Sequence, residues 1–340
     1  MHKQNMQRYA MTLLVLGALI VIAIYVSLTN GTFDLTVKDV LRTLLRINPL
    51  PEQDLVIFDF RLPRIVIAGL VGLGLGVAGA VIQGVTRNGL ADPGILGINA
   101  GAGAAIVLFM FFFQDHITDV SWLSIMMLPL FGLIGGMGSA LLIYLFAWKN
   151  GTLDMERLIL TGIAIGTGFG ALSLYISLKM KASDFEMATV WISGSIYNAN
   201  WLYVISMLPW LVILLPLIKK KAYLLDLFQL EESNIKSLGV PVEKEKTLLL
   251  LSSVGLVSAC VSVSGSIGFI GLMAPHIAKR LVGIHHNHVI PVCGAVGMLL
   301  VIVSDFIAKN IFAPAEIPVG IIISLIGVPY FLYLLVKTKA

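Results

Sequence analysis

Charge is what this chain has least of. Asp, Glu, Lys and Arg make up 12% of its 340 residues, and 58% of the residues are hydrophobic. A soluble domain carries about 25% charged residues, so this balance excludes an ordinary soluble enzyme and points to an integral membrane protein. Cysteine is also scarce: Cys260 and Cys293 lie inside apolar runs without metal-type spacing, so neither a disulfide nor a ligand pair is expected. The chain contains no Gly-x-x-x-x-Gly-Lys-Ser/Thr phosphate cradle, no His-Glu-x-x-His and no Gly-x-Ser-x-Gly, so ATP hydrolysis through that cradle and the chemistry of the other two motifs are not expected of it. Acids are nearly missing from the cores of the apolar segments. Asp305 is the exception, one turn from Lys309, a spacing that suits a structural pair. An ion-coupled secondary transporter usually needs ionisable groups near the midplane, and that class is disfavoured here.

What the chain does have is long apolar runs. The most informative stretch is 61–104, which opens with Arg61-Leu62-Pro63-Arg64, continues uncharged to Gln83, breaks at Arg87-Asn88-Gly89-Leu90-Ala91-Asp92-Pro93, and turns apolar again at Gly94-Ile95-Leu96-Gly97. The apolar part is long enough to cross a bilayer, which takes roughly 20 residues. Glycines 69, 72, 76 and 79 recur at helical spacing, leaving one face of nearly bare backbone for a neighbouring helix to pack on.

Apolar segments fall at about 11–28, 62–85, 94–113, 122–147, 157–180, 201–218, 247–264, 268–284, 289–311 and 318–336. They predict an all-α polytopic membrane protein of about ten spans, one transmembrane domain over 1–340, with no soluble domain and no linker. Residues 1–28 read as an uncleaved first helix, because Ser27-Leu28-Thr29-Asn30 makes a poor cleavage site. With the N-terminus inside, 15 of the 23 basic residues sit on the cytoplasmic side and 8 outside, so both termini are expected to be cytoplasmic. The net charge of +4 belongs to these short loops and carries no nucleic-acid signal. Five of the eight outer basic residues lie between 38 and 64, in a segment too polar to span, and a positive outer patch needs a reason.

Four constellations carry chemistry. The inner loop 219–246 is nearly neutral, and its Leu224, Leu225, Leu227, Leu230, Ile235 and Leu238 give a short amphipathic pattern stopped at Gly239-Val240-Pro241. Such a helix either seats in a groove on a partner or lies at the interface. The run from Ser264 to His276 combines Gly265, Gly268 and Gly271 with Pro275, so a kinked or discontinuous helix is expected, tolerated only where protein or a water-filled cavity satisfies the freed groups. His276 there is a metal or proton-relay candidate, or more simply a structural histidine capping kinked backbone. His285, His286 and His288 cluster near the inner surface, but neighbouring histidines on a short loop rarely converge on one ion. Gly162, Gly166 and Gly170 stand four apart, which gives either a close helix contact or room beside a solute pathway.

In order and spacing these features resemble the FecCD-type permeases, the membrane subunits of ABC importers for ferric siderophores, haem and cobalamin. The resemblance covers nearly the whole chain, from the second helix to Gly327-Val328-Pro329, and its most specific string is Gly268-Phe269-Ile270-Gly271-Leu272 followed by Pro275-His276. It departs at Lys279 beside Arg280, where a less polar residue is common, and at Lys309, where arginine is more usual. The resemblance implies the type II ABC importer permease fold in a bacterial cytoplasmic membrane. It also implies one half of a pathway shared with a second copy or a paralogue. Two separate ATPase subunits would use ATP and magnesium, with no cofactor or metal on this chain. Glu231, Glu232, Ile235, Leu238 and Gly239 would couple to the ATPases. Arg61, Arg64 and Lys309 would receive acidic side chains from an external substrate-binding protein, against the simpler reading that Arg61 and Arg64 snorkel to headgroups. Gly162, Gly166, Gly170, Pro275 and His276 would lie along the pathway or its packing. A ferric siderophore is the expected solute, with cobalamin or haem as the alternative.

Overall fold

The computed structural model describes residues 2–31, 33, 35–47, 50–113, 121–149 and 151–338. Its architecture grows from one buried helix. Helix α4 (Leu62–Thr86) is the most enclosed part of the bundle, and the glycines at 69, 72, 76 and 79 explain how. A Cβ built on Gly72 would lie 2.2 Å from the Gly297 carbonyl oxygen, one on Gly76 2.5 Å from that of Cys293, and one on Gly79 2.0 Å from that of Gly271. The neighbours that approach so closely are α14 (His286–Asn310) and α13 (Ile270–Val282). Helix α12 (Val242–Ser264) covers another side, where the Cys260 thiol would sit 2.5 Å from a Cβ on Gly74. Both cysteines are buried and unbridged. Replacing Gly79 with alanine is expected to cost about 1–3 kcal/mol, as overpacking does. Gly168→Ala, where a Cβ meets nothing within 4 Å, should be near neutral. Thermal melts of the two variants in detergent check both.

Around this core stand helices with largely exposed surfaces: α1 (His2–Thr29), α6 (Trp122–Ala147), α7 (Met155–Ser177), α9 (Trp201–Lys220) and α15 (Val319–Thr338). Each of the ten apolar segments contains a helix. Among the described residues eight helices are long and apolar enough to cross a membrane, whereas α5 (Ile98–Phe113) and α13 are shorter. A two-residue antiparallel hairpin, β1 (Trp148–Lys149) with β2 (Thr152–Leu153), links α6 to α7.

The polar loops hold more helix than their composition suggests. The outer segment 29–61 contains α2 (Val37–Leu44), begun by a capping box between Thr36 and Asp39, and α3 (Pro51–Asp54). From α3 the chain runs unbroken through a π-helical stretch, Leu55–Arg61, into α4. Pro63 accounts for the π geometry: it has no N–H for the α-helical bond to Asp59, and Leu62 reaches back to the Ile57 carbonyl instead. That shift frees the Phe58 carbonyl, which the Trp201 indole N–H meets at 2.7 Å. Three further short helices lie in the remaining hydrophilic loops. Helix α8 (Ala182–Ile192) occupies 181–200, and α10 (Ala222–Leu227) with α11 (Glu232–Ser237) occupies 219–246.

Candidate functional site

The expected break between 264 and 276 has two parts. Helix α12 stops at Ser264, the chain turns through Gly265 (φ +67°) and Phe269 (φ +64°), and α13 begins at Ile270. Phe269 is not glycine, and its left-handed backbone is held by Asp92. One carboxylate oxygen of Asp92 accepts from the Phe269 N–H at 3.2 Å, and the other accepts from Gly94 at 3.0 Å, starting the 3₁₀ turn Pro93–Leu96. One partly buried side chain thus caps two interrupted elements from distant parts of the chain. Further on, Pro275 leaves the Gly271 carbonyl without its helical donor. Gln83 of α4 supplies one, its Nε2 lying 3.4 Å from the Gly271 oxygen and 3.5 Å from that of Leu272. Lys279 donates to the Gln83 Oε1 at 3.3 Å. The kinked backbone is therefore served by Gln83, while the His276 ring stands edge-on to Tyr330 at 5.7 Å.

Two clefts meet at this break. The first, about 660 Å³, lies between α5, α7 and α8, and the second, about 620 Å³, runs along α15; Ile192, Ser193 and Ser266 belong to both. Their wall is built from hydroxyls, small residues and apolar side chains, and none of the residues lining either cleft is charged. Several wall hydroxyls are already committed: Ser173 donates to Phe169, Thr189 to Phe185, Ser193 to Thr189 and Ser324 to Gly320, each at 2.7–2.8 Å. Such a wall offers acceptor oxygens but no strong fixed partner, so a polar solute can be accommodated without being trapped. The glycines of α7 differ in their surroundings. Gly162 and Gly166 pack against Gly97, whereas Gly170 lines the first cleft with nothing within 4 Å of a built Cβ.

At the end of the bundle expected to face outward, the basic residues are more enclosed than a docking patch suggests. Arg61 is 4% exposed and donates to the carbonyls of Leu28 and Phe33, tying the end of α1 to the start of α4. Arg64 holds Asp305 through two nitrogens, at 2.9 and 3.0 Å, and Glu316 through a third at 2.8 Å. The ion pair of Asp305 therefore reaches across to α4, and Lys309, the expected partner one turn away, forms none with it. Arg64 comes close enough because α4 and α14 meet on glycine. A cleft of about 950 Å³ opens beside this cluster, lined by Asp59, Arg61, Arg64, Lys309 and Glu316 with an aromatic rim that includes Phe33, Phe60, Tyr197 and Trp201.

The inner loop also folds inward. Leu224, Leu225 and Ile235 are buried in the chain's own core, so Ile235 is not offered to a partner, and the amphipathic pattern is split over α10 and α11. Tyr223, Leu230 and Leu238 remain exposed, and Gly239 caps α11 with φ +78° in open surroundings. Ion pairs explain the near-neutral composition: Lys221 with Glu245, and Lys246 and Lys236 both with Glu232, at 3.2 and 2.7 Å. The Lys236 hydrogen bond, with Lys246 assisting, holds the Glu232 carboxyl below its usual range. This contact is present at neutral pH and is lost as pH falls through that lowered value. Glu231 precedes α11 and is exposed. The three histidines part company. His286 bonds Asp226 at 2.6 Å and His285 approaches the same carboxylate, while His288 stacks on Tyr9 at 4.5 Å. Among the described residues no group of three or more His, Cys, Asp and Glu side chains is placed to hold a metal.

Asp92 and Gln83 were not singled out from the sequence. The signal was there: a carboxylate directly before Pro-Gly marks an N-cap, and a lone amide at the end of an uncharged run asks for a buried partner.

The chain is similar to known proteins. The chain is 54% identical over 322 residues to the iron-uptake system permease protein FeuC of Bacillus subtilis (strain 168), covering 95% of this chain and 96% of that one. It is 46% identical to the iron(3+)-hydroxamate import system permease protein FhuG of the same organism, over 94% and 95%. Among solved structures, a metal-chelate type ABC transporter in an inward-facing conformation superposes with a TM-score of 0.82 at 31% identity, over 96% of this chain and 98% of the other. Residues 19–337 match the model of the FecCD transport family, as the order of the motifs implied, and the chain belongs to that family.

Proposed function

We propose that the chain is the membrane-spanning permease subunit of a binding-protein-dependent ABC importer, supplying half of the pathway for a ferric siderophore. The observation that carries this reading is the uncharged, hydroxyl-lined groove at the helix break, which a single chain leaves open along α7 and α15. A second permease, a copy or a paralogue, closes it. Two ATPase subunits act from the side of α10 and α11, where Glu231, Leu238 and Gly239 face outward and Glu232 and Ile235 hold the loop to the bundle. Both termini lie on that side; the contact of Arg8, near the start of α1, with the Arg280 carbonyl at 2.8 Å supports this for the N-terminus, and the loop charges support it for both. The chain sits in the bacterial cytoplasmic membrane, and a loaded external binding protein docks at the opposite end, above Lys309 and Arg64. The relatives named for iron uptake and iron-hydroxamate import favour ferric siderophore over haem and cobalamin.

Uptake tests this directly. Cells lacking the gene, offered radio-iron on catecholate and hydroxamate siderophores, haem iron and labelled cobalamin, should lose uptake of one ferric siderophore. The intact gene should restore it. The Gly239→Asp variant should not, although it reaches the membrane in normal amount, because it places a charge and a strained residue at the exposed tip of α11. Loss of cobalamin uptake with every iron ligand unaffected would move the protein to the vitamin branch.

A further inference from the structure

The outer cleft is already neutral. Its lining carries three cations, Arg61, Arg64 and Lys309, and two carboxylates, Asp59 and Glu316, with Asp305 beneath Arg64, so an acidic partner arriving there meets no excess of positive charge. For such a partner to gain an ion pair, one of the resident acids has to yield its place. The geometry singles out which. Asp305 lies 8% exposed beneath Arg64 and engages both Nε and Nη2. Glu316 is 25% exposed and holds Nη1 alone. A buried, forked pair is costly to break, whereas a single, more exposed contact is worth little and exchanges readily.

We propose that Glu316 is a placeholder: an external carboxylate displaces it from the Nη1 of Arg64, with Lys309 alongside, while Asp305 keeps its hold. This rests on the reading of the outer cleft as the docking face. The partner it fits is an acidic surface of a folded protein, since the rim around the charges is aromatic. The exchange also has a mechanical consequence. Glu316 lies three residues before α15, and the connection is otherwise pinned by Ile317 N–H to the Ala308 carbonyl at 3.2 Å and by Gly320 N–H to the Gly194 carbonyl at 2.9 Å. Gly320, Ile321 and Ser324 then line the second cleft. Releasing Glu316 removes one of three tethers at the mouth of the groove, so docking outside is felt at the wall inside.

The test uses the complete importer in nanodiscs with its own loaded binding protein, and measures affinity and ATPase rate. Glu316→Gln should raise affinity by roughly fivefold, the equivalent of an exposed ion pair of about 1 kcal/mol, and should raise the ATPase rate without binding protein. Lys309→Gln should lower affinity, so two neighbours in one cleft shift binding in opposite directions. Weaker binding by Lys309→Gln with no gain from Glu316→Gln would leave docking standing and overturn the exchange. Unchanged affinity in both variants would remove the docking reading itself. A purely structural Glu316 would lower the melting temperature and leave affinity alone, which also overturns the proposal. If Glu316→Gln fails to assemble, Glu316→Asp keeps the charge but shortens its reach, and the same rise in affinity is expected.

Discussion

Asp305→Ala is expected to destabilise the protein by about 3–5 kcal/mol, the usual effect of removing one member of a buried ion pair. The physical reason is the position of Arg64. Its guanidinium sits between α4 and α14 with 12% of the side chain exposed, and it relies on Asp305 for three of its four hydrogen bonds. Without that carboxylate a cation is left in a low-dielectric site with only Glu316 at one corner. The cost should be largely recovered in the double variant Arg64→Met with Asp305→Leu, because an apolar pair of similar volume needs no partner. Thermal unfolding in detergent micelles, read by tryptophan fluorescence on the single and double variants, gives the coupling energy. A loss below about 1 kcal/mol for Asp305→Ala would mean the pair behaves as a solvent-exposed one and would contradict the burial described above.

The sequence disclosed the helices better than what holds them together. The glycine face at 69, 72, 76 and 79 was legible because a periodic absence of side chains has one physical use in a membrane, and each of those positions meets α13 or α14. The interruption after Ser264 was legible for a similar reason, since glycine and proline cannot support a regular helix there. Ion-pair partners were not. Asp305 has Lys309 one turn away, and local spacing favours that pairing, yet Arg64 lies 241 residues off and wins because glycine contacts bring its helix close. The inner loop misled in another way. Leu224, Leu225 and Ile235 mark an apolar face at helical spacing, but periodicity does not say which surface covers it; here the bundle does. Likewise α2 escaped notice because an eight-residue helix in a polar loop carries too few apolar residues to stand out, and α8 because its eleven residues are too few to span and show no apolar face at helical spacing. The π stretch before α4 could be foreseen only as a disturbance near Pro63, since where the displaced carbonyl goes depends on Trp201, far along the chain.

The second large effect is expected at Asp92. Alanine there should leave the N–H groups of Gly94 and Phe269 without an acceptor inside the bundle, and each buried unmet donor costs about 1–3 kcal/mol. The loss does not stop at hydrogen bonding. Phe269 holds a left-handed backbone conformation that a bulky residue adopts only when its surroundings impose it, and Asp92 imposes it. Its ring lies against Gly327 of α15, where a built Cβ would come within 2.5 Å of the ring. Loosening Phe269 therefore loosens the contact between the broken helix and α15, both of which border the groove. Asp92→Asn retains one acceptor oxygen and should be intermediate in stability, whereas Asp92→Ala should fall further and lose transport with it. The comparison separates two roles for the carboxylate. Were its charge needed for transport, Asn would be as inactive as Ala while melting near the parent temperature. If it serves as a double cap, uptake should follow stability across the parent, Asn and Ala forms, and Phe269→Gly, which adopts the turn without help, should restore part of the uptake lost in Asp92→Ala.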